Sequence, residues 1–109
     1  MHRALGPGLL ESAYEACLAR ELELRCIEVK RQVPIPVTYK GSRVDVGYRL
    51  DLLVGDLVIV EVKAVTALVP VHEAQLLSQL RLTERKLGFL INFHHVLLRD
   101  GIRRIVNGL

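Results

Sequence analysis

The chain of 109 residues is poor in aromatic side chains, in cysteine and in long apolar runs. It has no Trp, two Phe and three Tyr, too few for the stacking platform on which single-stranded nucleic acid is often bound. Cys17 and Cys26 cannot form a disulfide framework and have no partner at zinc-site spacing, so we expect buried reduced thiols. No apolar run approaches the ~20 residues of a membrane span, and the first residues do not form a signal peptide. These absences predict a cytoplasmic protein.

Half of the residues are hydrophobic and a quarter are charged. This composition predicts one compact domain over residues 1–109. A chain of this size buries roughly two-thirds of the surface that its unfolded form exposes, so a core can form without metal or disulfides. Its 15 Lys and Arg against 12 Asp and Glu give a net charge of +3. This mild basic bias fits a polyanionic partner but also many ordinary domains.

Hydrophobic periodicity predicts an α/β sheet with packed helices, in the order αβββαββ. The helices are predicted over residues 8–25 and 71–86. The strands are predicted over residues 27–39, 43–54, 57–64, 87–93 and 96–99, with Pro34 and Pro36 at an edge or a bend of the first. Residues 102–105 are interpreted as a basic tail.

Charged residues interrupt two of these apolar strands. Period-two alternation places Glu61 and Lys63 on the same face as Ile59. Burying a carboxylate and an ammonium is costly unless they are paired or bound to a metal. An ion pair at the sheet surface is the ordinary explanation for such a pair taken alone. Asp51 interrupts the preceding strand, ten residues before Glu61.

The length of the hairpin loop around Gly55-Asp56 decides how Asp51 and Glu61 are related. A two-residue loop would send them to opposite faces, whereas an odd loop would place them directly opposite, with Cβ atoms ~5 Å apart. We predict the odd loop, of three residues with a bulge. Two carboxylates at that distance repel each other unless a divalent cation binds between them. Hard oxygen ligands favour Mg²⁺ or Mn²⁺, with water completing the shell.

Polar residues of both predicted helices can join this site. Glu11 lies at the shoulder of the buried stripe of the first helix, although an acid that interacts with the helix dipole is the alternative. His72, Gln75 and Gln79 share one side of the second helix, where a solvated surface is the alternative.

Motifs along nearly the whole chain accompany these residues. The first is Gly8-Leu9-Leu10-Glu11-Ser12-Ala13-Tyr14, and the others are residues 31–37, 47–54, 60–65, 72–77 and 90–93. In these motifs the chain resembles the GxxExxY family, small bacterial and archaeal proteins assigned to the PD-(D/E)XK nuclease superfamily. It departs from the family around Ser78-Gln79 and Glu84-Arg85-Lys86, where Tyr and Gly are usual.

The resemblance implies a restriction-endonuclease-like core with a mixed central sheet, and a metal-dependent nuclease that acts on DNA more than on RNA. It implies that Asp51, Glu61 and Lys63 form the catalytic centre, joined by Glu11 and Gln75. Mg²⁺ or Mn²⁺ would bind Asp51, Glu61 and the Val62 carbonyl, and Glu11 directly or through water. Lys63 would orient or help deprotonate the attacking water, and cleavage would leave a 5′-phosphate.

A set of basic residues is predicted to follow the nucleic-acid backbone without reading sequence. They are Lys30, Arg31, Arg81, Arg85, Lys86, Arg103 and Arg104. A core this small leaves little surface for a DNA-recognition domain, so selective cutting is expected to need a homodimer or a partner chain. The alternative function is a catalytically silent binding or dimerisation module with the nuclease fold.

Overall fold

The fold was obtained as a computed structural model, which describes residues 1–44 and 47–108. Its helices are α1 (His2–Leu5), α2 (Glu11–Leu24) and α3 (Pro70–Leu82). Its strands are β1 (Val29–Pro34), β2 (Val37–Tyr39), β3 (Ser42–Val44), β4 (Arg49–Val54), β5 (Val58–Lys63), β6 (Leu87–Asn92) and β7 (Ile102–Val106). A 3-10 turn, Leu98–Gly101, precedes β7.

Five of the strands form one mixed sheet in the order β1-β4-β5-β6-β7, while β2 and β3 pair as a separate hairpin. Strands β5 and β6 are parallel because α3 connects them, and the other neighbouring pairs are antiparallel. The predicted sheet with packed helices is confirmed, and its mixed character agrees with the resemblance, but the predicted order αβββαββ is not confirmed. The site-bearing strand β5 lies in the middle of the sheet.

Two apolar clusters cover the two faces of this sheet. One contains Tyr14 and Ala19 of α2, and the other contains Leu76 and Leu80 of α3. Alternate residues of β5 enter them, since Ile59 packs on the α3 side whereas Val60 and Val62 pack on the α2 side. Burial on both faces explains why β5 reads as a nearly continuous apolar run.

The loop of the β4–β5 hairpin has an odd number of residues, as predicted. Strand β4 ends at Val54 and β5 begins at Val58, which leaves three residues in the loop. Gly55 and Asp56 turn the chain with φ angles of 60° and 59°. The register pairs Leu52 with Val60, so Asp51 follows next to Glu61.

Strand β4 changes face at Asp51. Leu50 packs in the α3-side cluster and Leu52 in the α2-side cluster, although residues two apart in a regular strand share a face. The neighbouring strand β1 also changes face at this level. Its Gln32 has a φ of 52° and is skipped by the backbone pairing of β1 with β4, which goes from Arg31 to Val33. The irregularity frees the backbone and side chain of Asp51 from ordinary strand pairing.

Several sequence predictions are corrected by the structure. The predicted first strand is split into β1 and β2 at Ile35-Pro36, and residues 43–54 are divided between β3 and β4, with Val46 outside the described residues. The predicted strand 96–99 is wrong because Val96 and Leu97 are in a loop and Leu98 and Arg99 begin the 3-10 turn. The predicted basic tail is wrong too, because β7 pairs with the edge of β6.

Gly101 makes the turn before β7 possible. A Cβ at this position would lie 2.3 Å from the carbonyl oxygen of Asn92, so a larger residue cannot make this close approach.

Cys17 is half-buried and Cys26 is exposed, both as free thiols. The buried thiol expected at Cys26 is therefore wrong, since Cys26 turns the chain beyond α2 with a φ of 61°. Within the described part of the chain, no helix has the length and apolar character needed to cross a membrane.

Candidate active site

The end of β5 carries the two charges that interrupted its apolar pattern. Glu61 is buried, with 8% of its surface exposed, and Lys63 is half-buried. Both line one cavity together with Gln75 and Gln79 of α3, which we call the Glu61 cavity. The sequence prediction that Glu61 and Lys63 share a face with Ile59 agrees with this arrangement.

Asp51 lies beside Glu61 but lines a different space. With Glu11, Ser12 and Glu15 of α2 it lines a recess of about 190 Å³, which we call the Asp51 recess. The expectation that the two carboxylates share one face is corrected here, because β4 changes face at Asp51. Two hydrogen bonds nevertheless connect the strands at this point. The Asp51 N–H donates to Glu61 Oε1 at 3.3 Å, and the Val62 N–H donates to Asp51 Oδ2 at 2.9 Å.

Both carboxyl groups are disfavoured as anions. Burial, which is the larger cause, and the charge of Asp51 raise the pKa of Glu61 to about 7. Hydrogen bonds and the nearby Lys63 favour ionisation and partly offset this rise. Burial also raises the pKa of Asp51, partly offset by the Val62 N–H, and the charges of Glu15 and Glu11 add to the rise. A buried acid next to a half-buried one is a good environment for a cation, which would stabilise both ionised forms.

Glu11 joins the site from the first turn of α2. Its carboxylate is exposed, lines the Asp51 recess and accepts a hydrogen bond from the Ala64 N–H at 3.3 Å. The residue therefore connects the beginning of α2 to the chain directly after Lys63. Its position near the sheet agrees with the sequence prediction, although the group that it binds is a backbone N–H.

The three polar residues predicted to share one side of α3, His72, Gln75 and Gln79, have different surroundings. Gln75 is exposed and Gln79 is half-buried, and both line the Glu61 cavity. His72 faces the start of its own helix, where its Nδ1 accepts the Val69 N–H at 3.0 Å. Gln79, one turn beyond the predicted Gln75, lies near enough to Glu61 to favour its ionised form.

Comparison with family models identifies the family of this domain. The model for the PD-(D/E)XK nuclease superfamily matches residues 1–105. The chain belongs to the PD-(D/E)XK nuclease superfamily. Comparison with curated proteins and with solved structures gave no significant match. Membership supports a nuclease-like hydrolase that binds nucleic acid, while the finer resemblance to the GxxExxY family stays a prediction.

PD-(D/E)XK nucleases generally use divalent metal ions, and the donor set here suits such an ion. Asp51 and Glu61 offer only hard oxygen atoms, and a cation beside them would stabilise the ionised forms that burial disfavours. Donors of this kind suit Mg²⁺, which commonly takes one or two carboxylates and completes its shell with water and substrate phosphate. No group of three or more His, Cys, Asp or Glu side chains is close enough to form a metal site in residues 1–44 and 47–108.

The basic residues proposed to contact nucleic acid are distributed over the nuclease domain. Lys30 and Arg31 are on the edge strand β1, and Arg103 and Arg104 are on the opposite edge strand β7. Arg81 is in the last turn of α3, and Arg85 and Lys86 follow that helix. Arg31 pairs with Glu15 at 2.9 Å beside the Asp51 recess. Arg85 pairs with Asp56 at 2.9 Å, at the end of β5 remote from Lys63. The seven therefore do not form one patch around the site, and their role in binding stays a prediction.

Glu15 is a site residue that the sequence analysis missed. It is 5% exposed, and its carboxylate accepts hydrogen bonds from Arg31 at 2.9 Å and from Gln32 at 2.6 Å. These bonds hold β1 against α2 exactly where the β1–β4 ladder is irregular, next to Asp51. The available signal was the spacing of four residues from Glu11, which places both acids on one side of the helix.

Two further missed residues fix the segments around the site. Tyr14 is fully buried, stacks on Phe93 with ring centroids 4.6 Å apart, and its hydroxyl accepts the Leu9 N–H at 3.1 Å. Asn92 is also fully buried and forms two bonds with Val65, accepting its N–H at 3.1 Å and donating to its carbonyl at 2.9 Å. Tyr14 therefore holds the entry to α2, and Asn92 holds the chain that leaves β5.

Proposed function

We propose that this protein is a single-domain nuclease that hydrolyses phosphodiester bonds in nucleic acid, with DNA as the preferred substrate and Mg²⁺ or Mn²⁺ as the cofactor. The observation that carries the proposal is the meeting of Asp51, Glu61 and Lys63 at the end of β5. There the two acids are linked through the backbone N–H groups of Asp51 and Val62. A compact set of two acids and one lysine is suited to phosphate chemistry.

Asp51, Glu61 and the Val62 carbonyl would hold the ion, with Glu11 beside Asp51. The Lys63 carbonyl accepts the Phe93 N–H from the β6 side, so by strand alternation the Val62 carbonyl faces β4. When bound, a divalent ion lowers the pKa of a bound water and neutralises charge that develops on the phosphate. Oxygen donors from two neighbouring strands and one helix support this assignment.

Lys63 would act on the substrate from within the Glu61 cavity. Its ammonium is on the same face as Glu61, where it can stabilise the anionic phosphate and orient the attacking water. Gln75 lines the same cavity and would position Lys63 or a phosphate oxygen. By resemblance to the superfamily, attack by water would leave a 5′-phosphate, and selective cutting would require a second copy of the chain or a partner chain.

One observation favours a second function, a silent nuclease-fold module that binds nucleic acid or another chain without cutting. The carboxylates of Asp51 and Glu61 line separate spaces, the Asp51 recess and the Glu61 cavity. A module of this kind would retain the basic residues and the fold but would show no turnover.

A cleavage assay distinguishes the two functions. Plasmid and oligonucleotide substrates are incubated with Mg²⁺, Mn²⁺ or EDTA and with wild type, Asp51→Asn or Lys63→Met. We expect each substitution to lower the cleavage rate about 100-fold or more, and EDTA to abolish it. Glu73→Gln, which changes an exposed acid in the first turn of α3, is the matched control and should stay within about twofold of wild type.

Cleavage that survives both Asp51→Asn and Lys63→Met would overturn the assignment of the site. Absence of cleavage with either metal, for a protein that still binds the oligonucleotide, would favour the silent module. DNA and RNA oligonucleotides of the same sequence test the substrate preference in the same experiment.

A further inference from the structure

The hairpin of β2 and β3 stands apart from the central sheet. Val37–Tyr39 pairs with Ser42–Val44 in a sheet of its own, and every residue from 38 to 44 is exposed. Because neighbouring residues of a strand point to opposite faces, both faces of this hairpin are open to solvent. An isolated two-stranded hairpin is only marginally stable in water. We call residues 36–44 the β2–β3 arm, an element that a binding partner would stabilise.

The base of the arm adjoins the Glu61 cavity. Ile35, directly before the arm, and Tyr48, after it, both line this cavity. The Ile35 N–H donates to the Tyr48 carbonyl at 2.8 Å, which joins the two ends of the arm. Tyr48 is 59% exposed and therefore lies at the rim of the cavity. A nucleic acid whose phosphate lies at Lys63 would thus pass the base of the arm.

The arm carries positive charge that the protein does not neutralise. Lys40 is at its tip, Arg43 is on β3, and the arm itself contains no acid. Among the described residues, neither side chain has a carboxylate within ion-pairing distance. Asp45, which follows the arm, is outside the described residues, and Arg49 is at the start of β4. Residues 36–49 thus hold three cations and one acid, against 15 and 12 in the whole chain, so this segment suits a polyanion.

The tip of the arm has a backbone conformation that lysine rarely adopts. The turn between the strands consists of Lys40 and Gly41, with φ angles of 49° and 75°. Two positive φ angles are typical of the type I′ hairpin turn, whose first position favours Asn, Asp or Gly. Lysine is a less favourable residue there than Asn. What Lys40 adds to the turn is a charge at the tip.

The dimensions of the arm match the major groove of duplex DNA. Lys40 is four residues beyond Pro36, which at about 3.3 Å per residue gives a reach of about 13 Å. The major groove is about 12 Å wide and about 8.5 Å deep, and it admits a two-stranded ribbon. The tip can therefore reach into the groove while the base of the arm stays at the phosphate backbone.

We propose that the β2–β3 arm binds in the major groove of duplex DNA, next to the phosphate that is held at Glu61 and Lys63. Lys40 would enter the groove, and Arg43 would contact the phosphates at its edge. The inference rests on the proposed function, because that function places the scissile phosphate at the base of the arm. It gives the site a basic element of its own, whereas the seven basic residues predicted from the sequence are spread over the domain.

A second copy of the chain fits this surface less well. Two arms placed together would bring Lys40 and Arg43 of both copies close to one another. Neither arm contains an acid to neutralise them, so the like charges would repel. The charge of the arm therefore favours DNA as its partner.

The test measures binding to a short DNA duplex by fluorescence anisotropy in EDTA, so that no cleavage occurs, over about 50 to about 200 mM salt. The variants are Lys40→Asn and Arg43→Gln, alone and together. Lys40→Asn removes the charge and supplies a residue that the type I′ turn prefers, so the hairpin is kept. Arg20→Gln is the matched control, since it removes one charge at an exposed position of α2, which packs on the other face of the sheet.

The salt dependence of binding reports the contacts of the arm. Each phosphate that a cation neutralises contributes about 0.9 to the slope of the logarithm of affinity against the logarithm of salt concentration. We expect Lys40→Asn and Arg43→Gln each to reduce this slope by about one, and the double variant by about two. Arg20→Gln should keep the wild-type slope. A double variant with the wild-type slope would overturn the proposal.

Chemical protection locates the arm on the duplex. The N7 atom of guanine lies in the major groove, where dimethyl sulfate methylates it unless the groove is covered. Wild type should protect guanines in its binding site, and the double variant should leave them reactive. An RNA duplex has a deep, narrow major groove that side chains cannot read, so the double substitution should weaken RNA binding less than DNA binding. Guanines that stay fully reactive in the wild-type complex would contradict the placement in the major groove.

The outcomes separate this inference from the proposed function. A protein that never cuts but whose salt slope depends on Lys40 and Arg43 retains the arm in a silent module. A protein that cuts in Mg²⁺ and whose double variant binds and cuts as wild type does is a nuclease that holds DNA by another surface. Sedimentation of the free protein as a dimer that the double variant dissociates would assign the arm to a second copy instead of DNA.

Discussion

Asp51 and Glu61 are joined across β4 and β5 by the backbone N–H of Asp51, which donates to the Glu61 carboxylate at 3.3 Å. The Asp51 carboxylate in turn accepts the Val62 N–H at 2.9 Å. The regular backbone pairing of β4 with β5 is present up to Leu52 and Val60. Beyond this pair, side-chain carboxylates accept the hydrogen bonds in place of backbone carbonyls. Each acid is therefore held by the backbone of the hairpin, and the charge of one affects the protonation of the other.

Stability in the absence of metal should fall as the pH rises through the titration of Glu61. Its folded pKa of about 7 is above the ordinary value of 4.5, so the folded protein holds this proton more tightly than the unfolded chain. The stabilisation is complete below about pH 4.5, declines above it and is lost beyond about pH 7. We expect a loss on the order of a few kcal/mol, measured by urea unfolding in EDTA at pH 5 and pH 8.

The variant Glu61→Gln should flatten this pH dependence because its side chain has no proton to lose. Asp51 titrates in the same direction and Lys63 opposes both, so a residual slope is expected. Glu23→Gln, at an exposed position of α2, is the control and should keep the wild-type slope. An unchanged slope in Glu61→Gln would show that the titration of Glu61 does not set the stability.

Magnesium should stabilise the folded protein through the two acids. At a concentration 100 times the dissociation constant, a ligand of the native state adds about 2.7 kcal/mol, which raises the Tm of a domain this size by roughly 10 °C or more. The rise should be absent in Asp51→Asn and in Glu61→Gln, and calorimetry with and without Mg²⁺ at pH 8 measures it. An equal rise in both variants would place the bound ion elsewhere.

Tyr14→Phe should destabilise the protein without altering its response to Mg²⁺. The substitution keeps the ring that stacks on Phe93 and removes the hydroxyl that accepts the Leu9 N–H and donates to the Gly6 carbonyl. We expect a loss of about 1–2 kcal/mol in the free energy of unfolding. Tyr39→Phe, at a ring that is 65% exposed, is the control and should change stability by about 0.5 kcal/mol or less. Equal effects of the two substitutions would contradict the role given to Tyr14.

Asn92→Ala should cost more, about 2–4 kcal/mol, because it leaves several buried backbone groups without a partner. The side chain bonds both the N–H and the carbonyl of Val65 and accepts the His94 N–H at 3.2 Å. Urea unfolding measures the loss. Asn107→Ala, which removes one bond to the Arg85 carbonyl, is a matched control with a smaller expected effect. A larger loss in Asn107→Ala would contradict the role of Asn92.

Local patterns were enough to predict the framework that carries the site. Periodicity located α2, α3, β5 and β6 to within a few residues, because each has a buried face with a regular spacing. Parity related the length of the hairpin loop to the positions of Asp51 and Glu61, and the predicted odd loop is present, with three residues. These features depend on neighbours in sequence, so they can be read without knowledge of the tertiary contacts.

The errors concern features that depend on distant residues. Val96 and Leu97 have the composition of a strand, but the edge of β6 pairs with β7, so they remain exposed in a loop. The change of face at Asp51 depends on the partner strand β1 and its left-handed Gln32. Likewise, the choice between Gln75 and Gln79 follows from how α3 lies over β5, which helix periodicity alone does not determine.

The central position of β5 has a consequence for amide exchange. The strand is hydrogen-bonded between β4 and β6, so the N–H of Val60, which pairs with Leu52 of β4, exchanges with solvent only when most of the sheet opens. Glu11, by contrast, is on an exposed first turn that can fray independently. Deuterium uptake at Val60 should therefore follow the unfolding of the whole domain, and Glu61 and Lys63 should remain in register for as long as the protein stays folded.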